Sequence, residues 1–168
     1  MITAERYHDI SCGHRVFGHE SKCAHLHGHN YRIHFRCAVP ALDKVGRVID
    51  FSVMKSELCM WVEDNWDHKF LLWQEDDWGT TLFDLDPTLV ILPFNPTAEN
   101  MAKHLVEIVG PLQLRHSDVN LISCTVEETR KCGATYLWSG PLEALESIKA
   151  RARESERKSL EVANAQKG

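Results

Sequence analysis

"HNYRIHFRCAV", residues 29–39, alternates without a break: Tyr31, Ile33, Phe35, Cys37 and Val39 fall on one side, Arg32, His34 and Arg36 on the other. A period of two describes a strand with one face in a core and the other in polar surroundings. Upstream, Ile10, Cys12 and His14 share a face if residues 2–15 are extended, with Asp9, Ser11 and Arg15 opposite, which predicts a second strand. The stretch between them, "FGHESKCAHLHG", carries Gly18, Gly28 and polar residues and reads as a loop.

Downstream, Ser52 can cap a helix in which Met54, Leu58, Trp61, Val62 and Trp66 recur at helical spacing. Residues 73–88 are acidic and turn-rich, and "LVILPF" (89–94) reads as a short buried strand. A second helix runs from about Thr97 to Val109, with Gly110 and Pro111 as its stop. Residues 119–129 and 134–138 form a hairpin across "RKCG". This order predicts an α+β fold: an antiparallel four-stranded sheet with two helices on one face. One domain spans 1–140, and 141–168 is a charged C-terminal extension, helical or disordered.

With 168 residues, 43% of them apolar, the chain can bury a full core without metal or disulfide support. Six cysteines without a CxxC pair exclude a zinc ribbon and a thioredoxin-like motif. A net charge of −5 argues against general nucleic-acid binding. No run is long and apolar enough to span a membrane, and "MITAERYHDI" lacks the apolar centre of a signal peptide, so a cytoplasmic protein is expected.

Ten histidines are many for this length, and His14, His19, His25, His27, His29 and His34 crowd one window. His27 and His29 point to the same side of a strand start, and His14, at the end of the paired strand, can join them. Three histidines without a fourth protein ligand leave a position open, the pattern of a catalytic zinc. His25 has the same parity and can replace either His27 or His29; Cys23 can close the site as a structural fourth ligand, giving a noncatalytic zinc-binding protein. Cys23 can also be a packed apolar residue, or, beside Lys22 and the histidines, a reactive thiolate. A zinc hydrolase would need a carboxylate base as in HExxH, which is absent. Asp67 and His68 read either as a polar helix end or as an oriented imidazole for acid–base work. Glu127 and Glu128 occupy opposite faces of one strand, so one of them points inward.

Seven segments in order, "GHRVFG", "KCAHLHGHNY", "GRVIDF", "DHK", "NPTAEN", "EET" and "ATY", resemble the 6-pyruvoyl-tetrahydropterin synthase superfamily over about residues 5–138. Within it the chain is most similar to the 6-carboxy-tetrahydropterin synthase branch of queuosine precursor biosynthesis. The resemblance implies the tunnelling fold, with sheets joined into a barrel by oligomerisation, usually a hexamer built as a dimer of trimers. It implies Zn2+ on His14, His27 and His29, a catalytic group of Cys23, Asp67 and His68, and a pterin pocket holding Glu128, Thr97 and Glu99. The implied reaction converts dihydroneopterin triphosphate to 6-carboxy-tetrahydropterin with release of triphosphate and acetaldehyde; the alternative is triphosphate elimination alone, giving the pyruvoyl product. Thr97 and Glu99 also suit a helix cap and a positive helix end. Arg15, Lys22 and Lys69 are candidates to meet the triphosphate. The chain departs from the family pattern in "ISCGH", which puts Cys12 near the metal, in the long stretch from Lys69 to Phe94, and in the tail after Pro141.

Overall fold

The computed structural model describes residues 1–165. Two long antiparallel strands, β1 (Thr3–His14) and β2 (His27–Ala38), form its axis, paired from Thr3 opposite Ala38 to His14 opposite His27. Helix α1 covers 51–66, and β3 (Phe70–Trp73), α2 (Gly79–Leu85) and β4 (Val90–Leu92) follow. Helix α3 covers 98–113, the hairpin β5 (Asn120–Thr129) and β6 (Cys132–Leu137) comes next, and α4 (Leu142–Ala165) ends the described chain.

The sheet has six strands in the order β4-β3-β1-β2-β5-β6, which corrects the four-stranded antiparallel expectation. The expected antiparallel arrangement holds for β1, β2, β5 and β6, while β3 and β4 add a parallel edge to β1. "FLLW" was hidden because it is only four residues long and follows directly on a helix. The β5–β6 turn is also tighter than read, since Cys132 and Gly133 already belong to β6.

Alternation along the strands separates the faces. Ile10, Cys12, Tyr31, Ile33, Phe35, Cys124 and Val126 enter one core with Met54, Leu58, Val62 and Trp66 of α1 and Met101, Ala102, Leu105 and Val106 of α3. The opposite face is a charged lattice in which Arg32 pairs with Asp9 and Arg36 with Glu5. Glu127 meets His34 on that lattice, which leaves Glu128 on the core side.

Asp50, rather than Ser52, caps α1: its carboxylate accepts the Ser52 N–H, 2.8 Å away. Helix α3 also runs past Gly110 and Pro111 to Gln113, because a wide turn precedes them: the Gly110 N–H reaches back five residues, to the Leu105 carbonyl. That widened turn admits a proline ring that a regular turn would press against a carbonyl. Gly110 itself is dictated by the sheet, since a Cβ there would stand 2.7 Å from Leu121 Cβ. Gly110→Ala is therefore expected to destabilise the fold by about 1–3 kcal/mol through overpacking, read as a lowered urea midpoint.

The tail docks as α4. Leu145 is buried, and the buried Lys149 ammonium donates to the Ser117 and Val119 carbonyls and to Glu146. Further along, Glu156 takes a forked pair of bonds from Arg115. No helix among the described residues is long and apolar enough to cross a membrane.

Candidate metal centre and active site

The β1–β2 register brings His14 opposite His27 and Cys12 opposite His29, so the three imidazoles meet on the core face. One nitrogen from each lies within 4.8 Å of the others. Two tautomers follow from carbonyl partners, which can only accept: His14 Nδ1–H donates to Pro96 O at 2.7 Å and His27 Nδ1–H to His25 O at 2.8 Å. Their Nε2 lone pairs are thus left for another partner. His25 takes part only through its backbone oxygen; its side chain is exposed and lies outside the cluster of His14, His27 and His29.

His14 Nε2 is buried without a hydrogen-bond partner. Burial, opposed by the Pro96 bond, pulls the His14 pKa down to about 4, so the ring is neutral and cannot pair ionically with Glu128, 3.8 Å away. His29 is lowered too, first by burial. An orphaned buried nitrogen within a cluster of three imidazoles fits a zinc ion bound by three nitrogens. Cys23 is not part of this cluster.

Cys23 lies beside it. The single turn Lys22–Ala24 presents the half-buried thiol to a cavity of about 320 Å³ also lined by His14, Thr97, Glu99 and Glu128. Thr97 caps α3, its hydroxyl accepting the Asn100 N–H at 3.3 Å, and Glu99 lies in the first helical turn, so both structural roles are filled while both residues face the cavity.

Asp67 and His68 stand elsewhere. Asp67 accepts the Ser11 N–H at 2.8 Å through Oδ1 and meets His68 Nδ1 at 2.5 Å through Oδ2. The His68 N–H donates to Ser11 O at 2.7 Å, holding His68 at a left-handed φ of 53°. That conformation costs a side-chain-bearing residue roughly 1–2 kcal/mol. Burial opposes the Asp67 charge, but the bonds from Ser11 and His68 outweigh it and lower the pKa; the Asp67 hydrogen bond raises that of His68. The His68 side chain is 83% exposed. It shares a second cavity, of about 650 Å³, with His27 and His29, so the histidine cluster stands between the Cys23 and His68 sides.

Of the basic candidates, Arg15 is not free for a phosphate, being buried against Asp76. Lys69 Nζ donates to the Asp64 carbonyl at 2.5 Å, and Lys22 is exposed. Cys12 is a packed thiol that burial pushes up to about 12. Sequence reading missed two contributions. Asn95 clamps the Phe17 backbone at both N–H and O, which sets Pro96 under His14; in "NPTAEN" the sequence points to Thr97 and Glu99 and gives Asn95 no role. Tyr31, taken as apolar, places its ring 5.8 Å from His14 and 5.5 Å from His29 with its hydroxyl buried and unpartnered. A hydroxyl among core residues beside an HxH was the available signal.

The comparisons with known proteins place the chain and its fold among the pterin synthases. The family model for 6-pyruvoyl tetrahydropterin synthase matches residues 3–138, and the chain belongs to that family of enzymes. The 6-carboxy-5,6,7,8-tetrahydropterin synthase of Rickettsia typhi is 35% identical over 134 residues, which is 79% of this chain and 97% of the relative. Among solved structures, an uncharacterized protein of Wolinella succinogenes, WS1659, shares the fold with a TM-score of 0.72 at 21% identity, covering 81% of this chain and 97% of its own. The 6-pyruvoyl tetrahydropterin synthase of Caenorhabditis elegans superposes with a TM-score of 0.55 at 25% identity, covering 82% and 96%.

Proposed function

We propose that the chain converts dihydroneopterin triphosphate to 6-carboxy-tetrahydropterin, releasing triphosphate and acetaldehyde, with zinc on His14, His27 and His29. The observation that carries this reading is the Cys23 cavity directly beside an open three-histidine cluster, with Glu128 in its wall. Zinc, when bound, would supply a Lewis acid for the side-chain oxygens of the substrate. Cys23 as thiolate takes a proton from the substrate side chain. Glu128 accepts a parallel pair of N–H bonds from the aminopyrimidine. His68, oriented by Asp67, gives or takes the proton on the opposite side. Thr97 and Glu99 complete the pterin wall.

Spacing supports the carboxy product. Cys23 precedes His27 by four positions and sits in the single turn Lys22–Ala24. A short connection fixes where the thiolate stands, and a shift of about an ångström changes which proton it reaches. Mole-for-mole release of acetaldehyde and triphosphate is expected; pyruvoyl-tetrahydropterin accumulating without acetaldehyde would instead assign triphosphate elimination alone.

Assembly as a dimer of trimers is part of the same reading. Its support is an unpaired outer edge on β6 and a His68 imidazole exposed on the single chain. The reaction belongs to the cytoplasm, where six free thiols stay reduced.

Acid function of His68 gives a pH prediction. Asp67 raises the His68 pKa, so the protonated form persists to higher pH and the basic limb of the rate profile falls as His68 deprotonates. Asp67→Asn should move that limb to lower pH; a limb that stays in place removes His68 from the acid role.

A further inference from the structure

Within the long stretch from Lys69 to Phe94 that sets this chain apart from its family pattern, the residues just after β3 meet the guanidinium of Arg15. Asp76 Oδ1 accepts from Arg15 Nη1 at 2.8 Å, and the Trp78 ring covers the guanidinium at 3.7 Å. The Arg15 side chain is only 10% exposed and that of Asp76 is fully buried. Asp76 Oδ1 also accepts the Trp78 N–H at 2.9 Å, so one carboxylate shapes the turn and holds the cation.

Arg15 Nη1 also stands 3.5 Å from Asp77 Oδ1, and the Arg15 Nε–H points the other way, donating to the Ala24 carbonyl at 3.0 Å. Ala24 follows Cys23 in the turn Lys22–Ala24, whose own Cys23 carbonyl accepts the Val16 N–H at 2.9 Å. That turn has no buried residue and no side-chain cap. It contributes nothing to the core that would fix it, so its place over the cavity depends on these two bonds, given by neighbouring residues of one segment. Arg15 can give its bond only while its charge is compensated, because a buried cation without a partner is strongly unfavourable.

We propose that residues 74–78 act as a brace for the catalytic turn: Asp76 and Trp78 hold Arg15, and Arg15 holds the Ala24 carbonyl that sets the position of the Cys23 thiol. Asp76, Trp78 and Arg15 are on this account positioning residues. The functional half of the proposal rests on the reading of Cys23 as the catalytic thiol; the geometric half does not.

The test uses the full-length, zinc-loaded protein and the variants Asp76→Asn, Trp78→Leu and Arg15→Lys. Asp76→Asn removes the charge in nearly the same shape, Trp78→Leu opens the stack on a half-exposed position, and Arg15→Lys keeps a cation but loses the Nε–H donor. The rate of Cys23 alkylation by iodoacetamide is followed by peptide mass spectrometry, alongside zinc content, kcat and KM. Each variant is expected to retain its zinc, alkylate at Cys23 several-fold faster, and lose about tenfold in kcat with KM within about twofold, as small misplacements of a catalytic group do. Alkylation and kcat at wild-type values in Arg15→Lys and Trp78→Leu would overturn the brace. Faster alkylation with unchanged kcat would support the brace and refute the catalytic reading of Cys23. Should Asp76→Asn fail to fold, Trp78→Leu and Arg15→Lys decide the matter by the same readouts.

Discussion

Cys23→Ala is expected to retain its zinc and its fold while turnover falls at least about a hundredfold, the usual scale for a positioned acid or base. Each part of this expectation has a separate origin. The fold survives because the Lys22–Ala24 turn buries no residue. The metal stays because the three-nitrogen cluster forms without the thiol. The rate is expected to fall because the Cys23 thiol, on the loop before β2, lines the cavity next to His14. Cys132 lines the same cavity from the β5–β6 hairpin, so Cys132→Ala is the matched control, with a small effect. Full activity in Cys23→Ala would remove Cys23 from the mechanism.

The double variant His27→Ala, His29→Ala is expected to lose stoichiometric zinc and all measurable turnover. His14 alone retains a single buried nitrogen, which cannot hold the ion. Removing zinc from the unmodified protein should also lower its thermal midpoint, since a ligand that binds only the folded state stabilises it and His14 Nε2 is otherwise left unpartnered. Returning zinc should restore the midpoint in the unmodified protein and leave the double variant unaffected. Metal analysis that still finds one zinc per chain in the double variant would defeat the assignment.

What could be read from residues alone follows the range over which each signal acts. Alternation in "HNYRIHFRCAV" gave β2 and its faces, and the parity of His14, His27 and His29 followed from it, because strand periodicity is local. Glu127 and Glu128 could be separated in the sequence but not assigned, since which face is covered is decided by helices far along the chain. Gly110 looked like a stop because its reason for being glycine, the close Leu121 Cβ, lies across the helix–sheet contact. Arg15 looked available to an anion because its partner Asp76 is sixty-one positions away. Strand β3 and its parallel pairing with β1 and β4 were not legible for the same reason, although "LVILPF" already marked β4: a strand of four residues carries little pattern, and pairing defines it.

In the proposed site three histidines leave one metal position open, and Cys23 lines the cavity beside them without joining the cluster. X-ray absorption at the zinc edge of the zinc-loaded protein tests this most directly. The expected first shell contains nitrogen and oxygen only, at about 2.0–2.1 Å, three of the scatterers being imidazole nitrogens. A sulfur scatterer at about 2.3 Å that disappears in Cys23→Ala would contradict it, and would make the site a closed structural zinc.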